Sequence, residues 1–277
     1  GITIEGSLKA GVYELDGNVS SQFISGLLFA LPLLQGDSII KIKPPLESLS
    51  YIKLTLSALA RFGIEVENND PFTYHIRGGQ EYCPANYTVE GDYSQFAFMA
   101  VLGAINGDIA CAGMDSASLQ GDKAILDTLA RSGAAIKGFH AQKSSLIATD
   151  TDLADCPDLG PILCTLAMYS KGTSRIYNAG RLRYKESDRI DSMQQELRKL
   201  GVMMETTADE IIITGQESYA GGVVLDGHND HRIVMSLAVA AALCKESIVI
   251  EGAEAVNKSY PNFFDDLKAL GADVKLI

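Results

Sequence analysis

The 277-residue sequence has no Cys-x-x-Cys pair and no Cys/His cluster at zinc spacing. That leaves no basis for a structural zinc site or a dithiol redox motif. Its five cysteines (Cys83, Cys111, Cys156, Cys164 and Cys244) are odd in number and mostly set in apolar runs, the expectation being buried free thiols in a reducing cytoplasm. There is no Gly-x-Ser-x-Gly, no Walker loop and no Rossmann glycine fingerprint after a strand. The four histidines, His75, His140, His228 and His231, show no metal-ligand spacing. Positive charge is scarce: 23 Lys+Arg against 35 Asp+Glu give a net charge of −12. A general nucleic-acid binder needs a broad basic surface, so none is expected, whereas a small basic pocket is still compatible with this balance. No charged-then-apolar leader opens the chain, and its longest apolar runs carry Gly, Ser or Pro. No membrane span, metal or organic cofactor is expected.

What the sequence does contain is a repeat. The apolar fraction of 47% and charged fraction of 21% are those of an ordinary globular chain, and the length allows about two domains. Four apolar stretches, beginning at Ser20, Ser94, Asp158 and Asp230, each run through a short turn into a strand. Each is followed by an amphipathic helix that closes on a glycine: Gly63, Gly133, Gly201 and Gly271, spaced 70, 68 and 70 residues apart. Strands follow as IEVEN, AAIKG, VMMET and ADVKLI. The pattern predicts an α/β (α+β) fold of repeated β-α-β-α-β-β units. The first helix of each, apolar nearly all round, lies buried between layers, with the amphipathic second helix outside it. The boundary is expected near Val89–Gly91, giving a domain of about one unit over 1–90 and another of nearly three over 91–277.

The helix starts are where the chemistry collects. Ser20, Ser21 and Gln22 open a buried helix, either as a plain serine cap or as a phosphate site. Lys185–Arg189 (KESDR) opens another, and the approach from Arg181 holds four cations in nine residues. Cations there oppose the helix dipole, and a bound anion would stabilise them. Asp230, His231 and Arg232 stand together where an all-apolar helix begins, so they face a cleft or an ion-pair partner. Asp158 reads by default as a helix cap and Lys258 as a surface lysine.

The stretches GNVSSQF (17–23), SLSYI (48–52), VEGDYS (89–94), Pro157–Asp158, LRYKESDR (182–189), NDHRIVMS (229–236) and NKSYPNFF (257–264) resemble the EPSP synthase family of enolpyruvyl transferases. They run in family order over essentially the whole chain. The resemblance implies two domains of three β-α-β-α-β-β units each, with buried helix N-termini facing a cleft. It implies transfer of the enolpyruvyl group of phosphoenolpyruvate to the 5-hydroxyl of shikimate 3-phosphate. In that reading Ser20, Ser21 and Ser48 hold the 3-phosphate, with Gln22 and Tyr51 beside the ring. Asp158 and Lys185 address the shikimate hydroxyls, Asp158 assisting as a base. Gln22, Arg189, Arg232 and Lys258 bind phosphoenolpyruvate, and Glu186 handles protons at its methylene carbon.

The sequence departs from the family at Arg181, where a Glu or Asn is usual, and at Tyr184, where a small apolar residue is usual. GITIEG begins without Met and in mid-strand, and the family's Lys-Ser segment, glycine-rich loop and a further arginine would lie upstream of Gly1. The expectation is therefore a chain lacking about a third of the enzyme, inactive alone. Its apolar helix over 22–34 is short of neighbours and expected to be mobile or to self-associate, whereas the full-length enzyme is a monomer. Two alternatives stay open: a UDP-N-acetylglucosamine enolpyruvyl transferase, and a non-catalytic anion-binding protein.

Overall fold

Alternating apolar residues in Val12–Asp16 (β1) and Ser38–Lys43 (β2) turn one face of each strand inward, and the two strands pair in parallel. A parallel pair needs a crossover, which α1 (Ser21–Ala30) supplies. After α2 (Leu49–Arg61), β3 (Glu67–Asp70) and β4 (Thr73–Ile76) form an antiparallel hairpin. Its turn is tied by Asp70 Oδ1, which accepts from Phe72 N at 2.7 Å and Thr73 N at 2.9 Å. The sheet order is β1-β2-β4-β3. The computed structural model describes residues 1–276. This first unit comprises Gly1–Val89 with Leu119–Gly121. Ile24, Leu28, Leu31, Ile40, Ile42, Ile52, Leu59, Ile64, Tyr74 and Ile76 form its core.

Three expectations are corrected in this unit. Residues 1–10 form no strand, and Ile2 and Ile4 are almost fully exposed; two alternating residues do not order a strand without a ladder partner for the backbone. The helix expected over 22–34 stops at Ala30, and Leu31–Leu33 continues as a 3-10 turn because Pro32 has no N–H to donate. Nor is α1 buried all round. Only Ser21, Ile24 and Leu28 are inside, while Phe23 is 61% exposed and Phe29 and Leu33 are also exposed.

The second unit comprises Glu90–Ser118 and the chain from Asp122 onward. It passes three times through the same plan. The first pass is α3 (Tyr93–Asn106), β5 (Asp108–Ala110), α4 (Ala124–Arg131), β6 (Ala135–Lys137) and β7 (His140–Gln142). The second is β8 (Thr151–Asp152), α5 (Gly160–Met168), β9 (Thr173–Tyr177), α6 (Arg189–Lys199), β10 (Met203–Thr206) and β11 (Glu210–Thr214). The third is β12 (Val224–Asp226), α7 (His231–Ala240), β13 (Val249–Glu251) and α8 (Phe263–Ala269). The sheets run β5-β7-β6, β10-β11-β9-β8 and β12-β13. The strand expected over 272–277 is absent from residues 272–276, which pair with no other strand; Ile277 lies outside the described residues.

Here the first helix of each pass is buried. Every residue of α5 is inside, as is all of α7 except Ala238. They pack on each other and on α3, and Thr165 Oγ1 donates to Ser236 O at 3.0 Å across the α5–α7 contact. The amphipathic helices cover this layer through Ile125 and Leu129, through Ile190, Met193 and Leu197, and through Phe263 and Leu267. The closing glycines Gly63, Gly133, Gly201 and Gly271 have φ of +81°, +79°, +87° and +98°. That left-handed conformation, unfavourable with a Cβ, ends each outer helix.

Candidate active site

Helices buried on every side leave no water along their length, so the polar groups of the second unit gather at helix starts. Asp92 caps α3, its Oδ1 accepting from Ser94 N at 2.8 Å and Ser94 Oγ at 2.7 Å. Asp188 caps α6 through Ile190 N and Asp191 N, both at 3.1 Å. Asp230 caps α7 through Arg232 N at 2.9 Å. Asp158 lies in the 3-10 turn Pro157–Leu159 that leads into α5.

Arg189, the first residue of α6, joins these starts. Its side chain is 1% exposed and spends all three nitrogens on carboxylates. Nε donates to Asp230 Oδ2 at 2.8 Å, Nη1 to Asp158 Oδ1 at 3.0 Å and Nη2 to Glu186 Oε2 at 2.6 Å, with a longer Nη2 bond to Asp230 Oδ1 at 3.3 Å. A guanidinium can be buried this deeply only when its charge and its donors are both matched. Arg232, on α7, donates from Nη2 to Asp158 Oδ2 and to Ser94 Oγ, both at 3.0 Å. Its Nη1 is buried and has no hydrogen-bond partner in the protein. Lys185 Nζ stands 3.3 Å from Asp158 Oδ1, and Ser187 Oγ donates to Asp230 Oδ2 at 3.1 Å. At the rim, the exposed Lys258 donates to Asn229 O.

The titration behaviour follows from this packing. Burial opposes ionisation of Asp158, yet Arg232, Lys185 and Arg189 hold its carboxyl well below the usual carboxylate range. Asp230 is likewise held down, against its own burial, chiefly by Arg189. Burial, reinforced by the Arg232 charge, pushes the His231 imidazole below its ordinary value, so it is neutral near pH 7. The ring's Nδ1 is buried without a hydrogen-bond partner. Three acids thus face three cations, and beside the His231 Nδ1 the free edge of Arg232 is an unmatched charged donor. Among the described residues no group of three His, Cys, Asp or Glu side chains is arranged to hold a metal.

The first unit carries the other candidates. Ser20 caps α1, accepting from Gln22 N at 3.2 Å. Ser21 is buried at the first helical position, and Gln22 points to solvent. Ser48 is buried in the left-handed conformation, φ +55°, at the start of α2, and Tyr51 is half-buried two residues into that helix.

Two local expectations are corrected. KESDR opens α6 only through its last two residues: Asp188 takes the capping position and Arg189 is the first helical residue, so the Lys185 cation lies with Glu186 in the loop before the helix. Asp158 does not stand at a capping position but inside the turn Pro157–Leu159, and its carboxylate meets the Lys185, Arg189 and Arg232 cations. Arg181 sits half-buried on the 3-10 turn Gly180–Tyr184, and Tyr184 is exposed. Sequence reasoning gave Ser94 no role and left Asp230 open between a cleft group and an ion-pair partner. Each had a visible signal, an acid or hydroxyl in the first turn of an all-apolar helix. Of the cysteines, Cys156 and Cys164 are buried, Cys111 and Cys244 half-buried and Cys83 exposed, all as free thiols.

Comparison with known proteins gives the family. The family pattern of EPSP synthase (3-phosphoshikimate 1-carboxyvinyltransferase) matches residues 1–267. The chain is 50% identical over 275 residues to the 3-phosphoshikimate 1-carboxyvinyltransferase of Clostridium acetobutylicum, which covers 99% of this chain and 64% of the relative. With the Clostridium perfringens protein of the same name the identity is 46% over 279 residues, covering 99% and 66%. The solved EPSP synthase of Acinetobacter baumannii superposes with a TM-score of 0.80 at 28% identity, over 95% of this chain and 63% of that one. The enolpyruvyl transferase NikO of Streptomyces tendae shares the fold, with a TM-score of 0.74 at 18% identity over 97% and 65%. The chain therefore spans slightly less than two thirds of the length of these curated relatives. With the family pattern running through both units, the chain belongs to the EPSP synthase family.

Proposed function

We propose that this chain supplies acceptor- and donor-binding groups for transfer of the enolpyruvyl group of phosphoenolpyruvate to the 5-hydroxyl of shikimate 3-phosphate, with release of phosphate. The observation that carries the reading is Arg232, 7% exposed, whose Nη2 is fixed by Asp158 and Ser94 while Nη1 is left without an acceptor. A buried donor without a partner costs about 1–3 kcal/mol, and a carboxylate or phosphate oxygen removes that cost. The names of the curated relatives support the choice of substrates.

In this reading Arg232, Arg189 and Lys258, with Gln22, take phosphoenolpyruvate. Ser20, Ser21 and Ser48 take the 3-phosphate, with Gln22 and Tyr51 beside the ring, and Asp158 and Lys185 address the shikimate hydroxyls. Glu186 is the exposed member of the Arg189 network and can leave it with little desolvation cost. It protonates C3 of phosphoenolpyruvate as the 5-oxygen, losing its proton, bonds to C2. The tetrahedral adduct then returns the C3 proton, the C2–O bond to phosphate breaks, and the enol double bond reforms. Fixed cations supply the electrostatic stabilisation, and Glu186, Asp158 and Lys185 the proton transfers. A carboxyl held as low as that of Asp158 is a weak base. It orients the hydroxyl, and it becomes more basic when the incoming anion shares the same cations.

The same reading assigns about one repeat unit to residues 1–90 and nearly three to 91–277. It makes the full-length enzyme a cytoplasmic monomer, in keeping with five free thiols. The exposed apolar side chains of α1, Phe23 and Phe29, are then the ones through which the chain alone self-associates. The test is phosphate release from the two substrates by the natural gene product at whatever length the cell makes it. Release that requires both substrates supports the proposal. Binding without turnover favours the non-catalytic reading.

A further inference from the structure

We propose that Glu196 is a positioning residue for the phosphoenolpyruvate subsite: its buried carboxylate, bonded to Asp226 N and His228 Nε2, holds the turn from which Asp230, Arg232 and the Asn229 carbonyl are presented. The inference rests on the assignment of Arg232 and Lys258 to phosphoenolpyruvate.

Glu196 stands seven residues after Arg189, on the same face of α6 two turns further along. Its side chain is 2% exposed. Oε2 accepts from Lys199 Nζ at 2.7 Å and from Asp226 N at 2.8 Å, and Oε1 lies 3.2 Å from His228 Nε2. An ordinary helix-surface pair with Lys199 would need no such burial and no backbone donor. The carboxylate instead reaches across to the turn that joins β12 to α7.

That turn is in a conformation uncommon for non-glycine residues. His228 and Asn229 both have φ of +50°. His and Asn enter left-handed backbone more readily than most residues, but as single residues; two in succession are held there by their surroundings. Gly227 before them is required as well, because a Cβ there would meet Val234 Cγ2 at 2.4 Å and Glu251 O at 2.9 Å. Inside the turn, Asp226 Oδ1 accepts from His228 N at 2.7 Å and Asp230 N donates to Gly227 O at 2.9 Å. From outside, α6 grips both ends of it: Glu196 holds Asp226 and His228, and Arg189 holds Asp230. What the turn carries belongs to the subsite. Asn229 O accepts from Lys258, and Asp230 fixes the first turn of α7 and with it Arg232. A small displacement of such groups weakens the contacts of a bound anion steeply.

The experiment measures KM for both substrates and kcat in Glu196→Ala and His228→Ala variants of the natural gene product. The phosphoenolpyruvate KM rises about tenfold in each, while the shikimate 3-phosphate KM changes less than about twofold. Glu196→Gln recovers part of the loss, since an amide accepts from Asp226 N and donates to the imidazole. Asn visits left-handed backbone readily, so adding His228→Asn to Glu196→Ala also recovers part of it. His228→Ala keeps the proposal testable if the Glu196→Ala protein does not fold. An unchanged phosphoenolpyruvate KM overturns it. So does a uniform loss, with both KM values and thermal stability moving together and no rescue by Asn. If the wild-type protein binds but does not turn over, the reading of its function fails separately. Calorimetric titration with phosphoenolpyruvate then decides: about tenfold weaker binding in His228→Ala supports the positioning role, and equal affinity, or no binding by wild type, overturns it.

Discussion

Arg189 and Asp230 form a two-point ion pair inside the protein, Nε to Oδ2 at 2.8 Å and Nη2 to Oδ1 at 3.3 Å, with side chains 1% and 0% exposed. The pair ties the start of α6 to the cap of α7, making the helix starts of the second unit an electrostatic part of its core. Asp230→Ala leaves Arg189 buried with only Asp158 and Glu186 as partners and removes the α7 cap. The expected loss of folding stability is about 3 kcal/mol, read by urea denaturation. A loss below about 1 kcal/mol would show that the network re-forms without Asp230.

Glu186 lies at the opposite extreme of the same network, with its side chain 42% exposed. Its substitution by Gln leaves folding stability nearly unchanged. If Glu186 moves the C3 proton, turnover falls by about 10²–10⁴-fold while shikimate 3-phosphate binding stays within a few-fold. Unchanged turnover would return Glu186 to the role of a surface partner for Arg189.

Arg232→Ala removes the donor edge aimed at the proposed donor substrate. The phosphoenolpyruvate KM rises by about 10–100-fold, the worth of a strong charge-assisted contact. Ser21→Ala instead raises the KM for shikimate 3-phosphate. Crossed effects, with Arg232→Ala acting on shikimate 3-phosphate alone, would mean that the two subsites are assigned the wrong way round.

The pH dependence of stability follows from groups whose folded values are depressed. His231, pushed down by burial and Arg232, contributes stability that is complete above its unfolded value, about 6.5, and declines as pH falls below it. Asp158 and Asp230 contribute stability that is complete above about 4 and is lost as pH falls toward their lower folded values. Urea midpoints should therefore decline gently below about pH 6.5 and steeply below about pH 4. His231→Asn removes the first decline, and an unaltered profile in that variant would assign it to another group.

Much of the fold was written in local pattern. The repeat of about 70 residues, the order of helices and strands and the four left-handed closing glycines depend on period and on φ, which neighbours in sequence decide. The charged stretches KESDR and NDHR were visible for the same reason, as charge beside apolar helices. Strand ends were less legible: residues 1–10 and 272–276 have strand-like composition but no partner, and pairing is a long-range property. The sequence by itself determined which residues stand at helix starts. Only the tertiary structure decided that Asp158 would serve three cations and no helix cap, that Arg189 would be buried among three acids, and that Glu196 would grip a turn thirty residues away. Ion pairs and desolvation depend on distances of a few ångströms between groups far apart in the chain, and packing of α3, α5, α6 and α7 sets those distances.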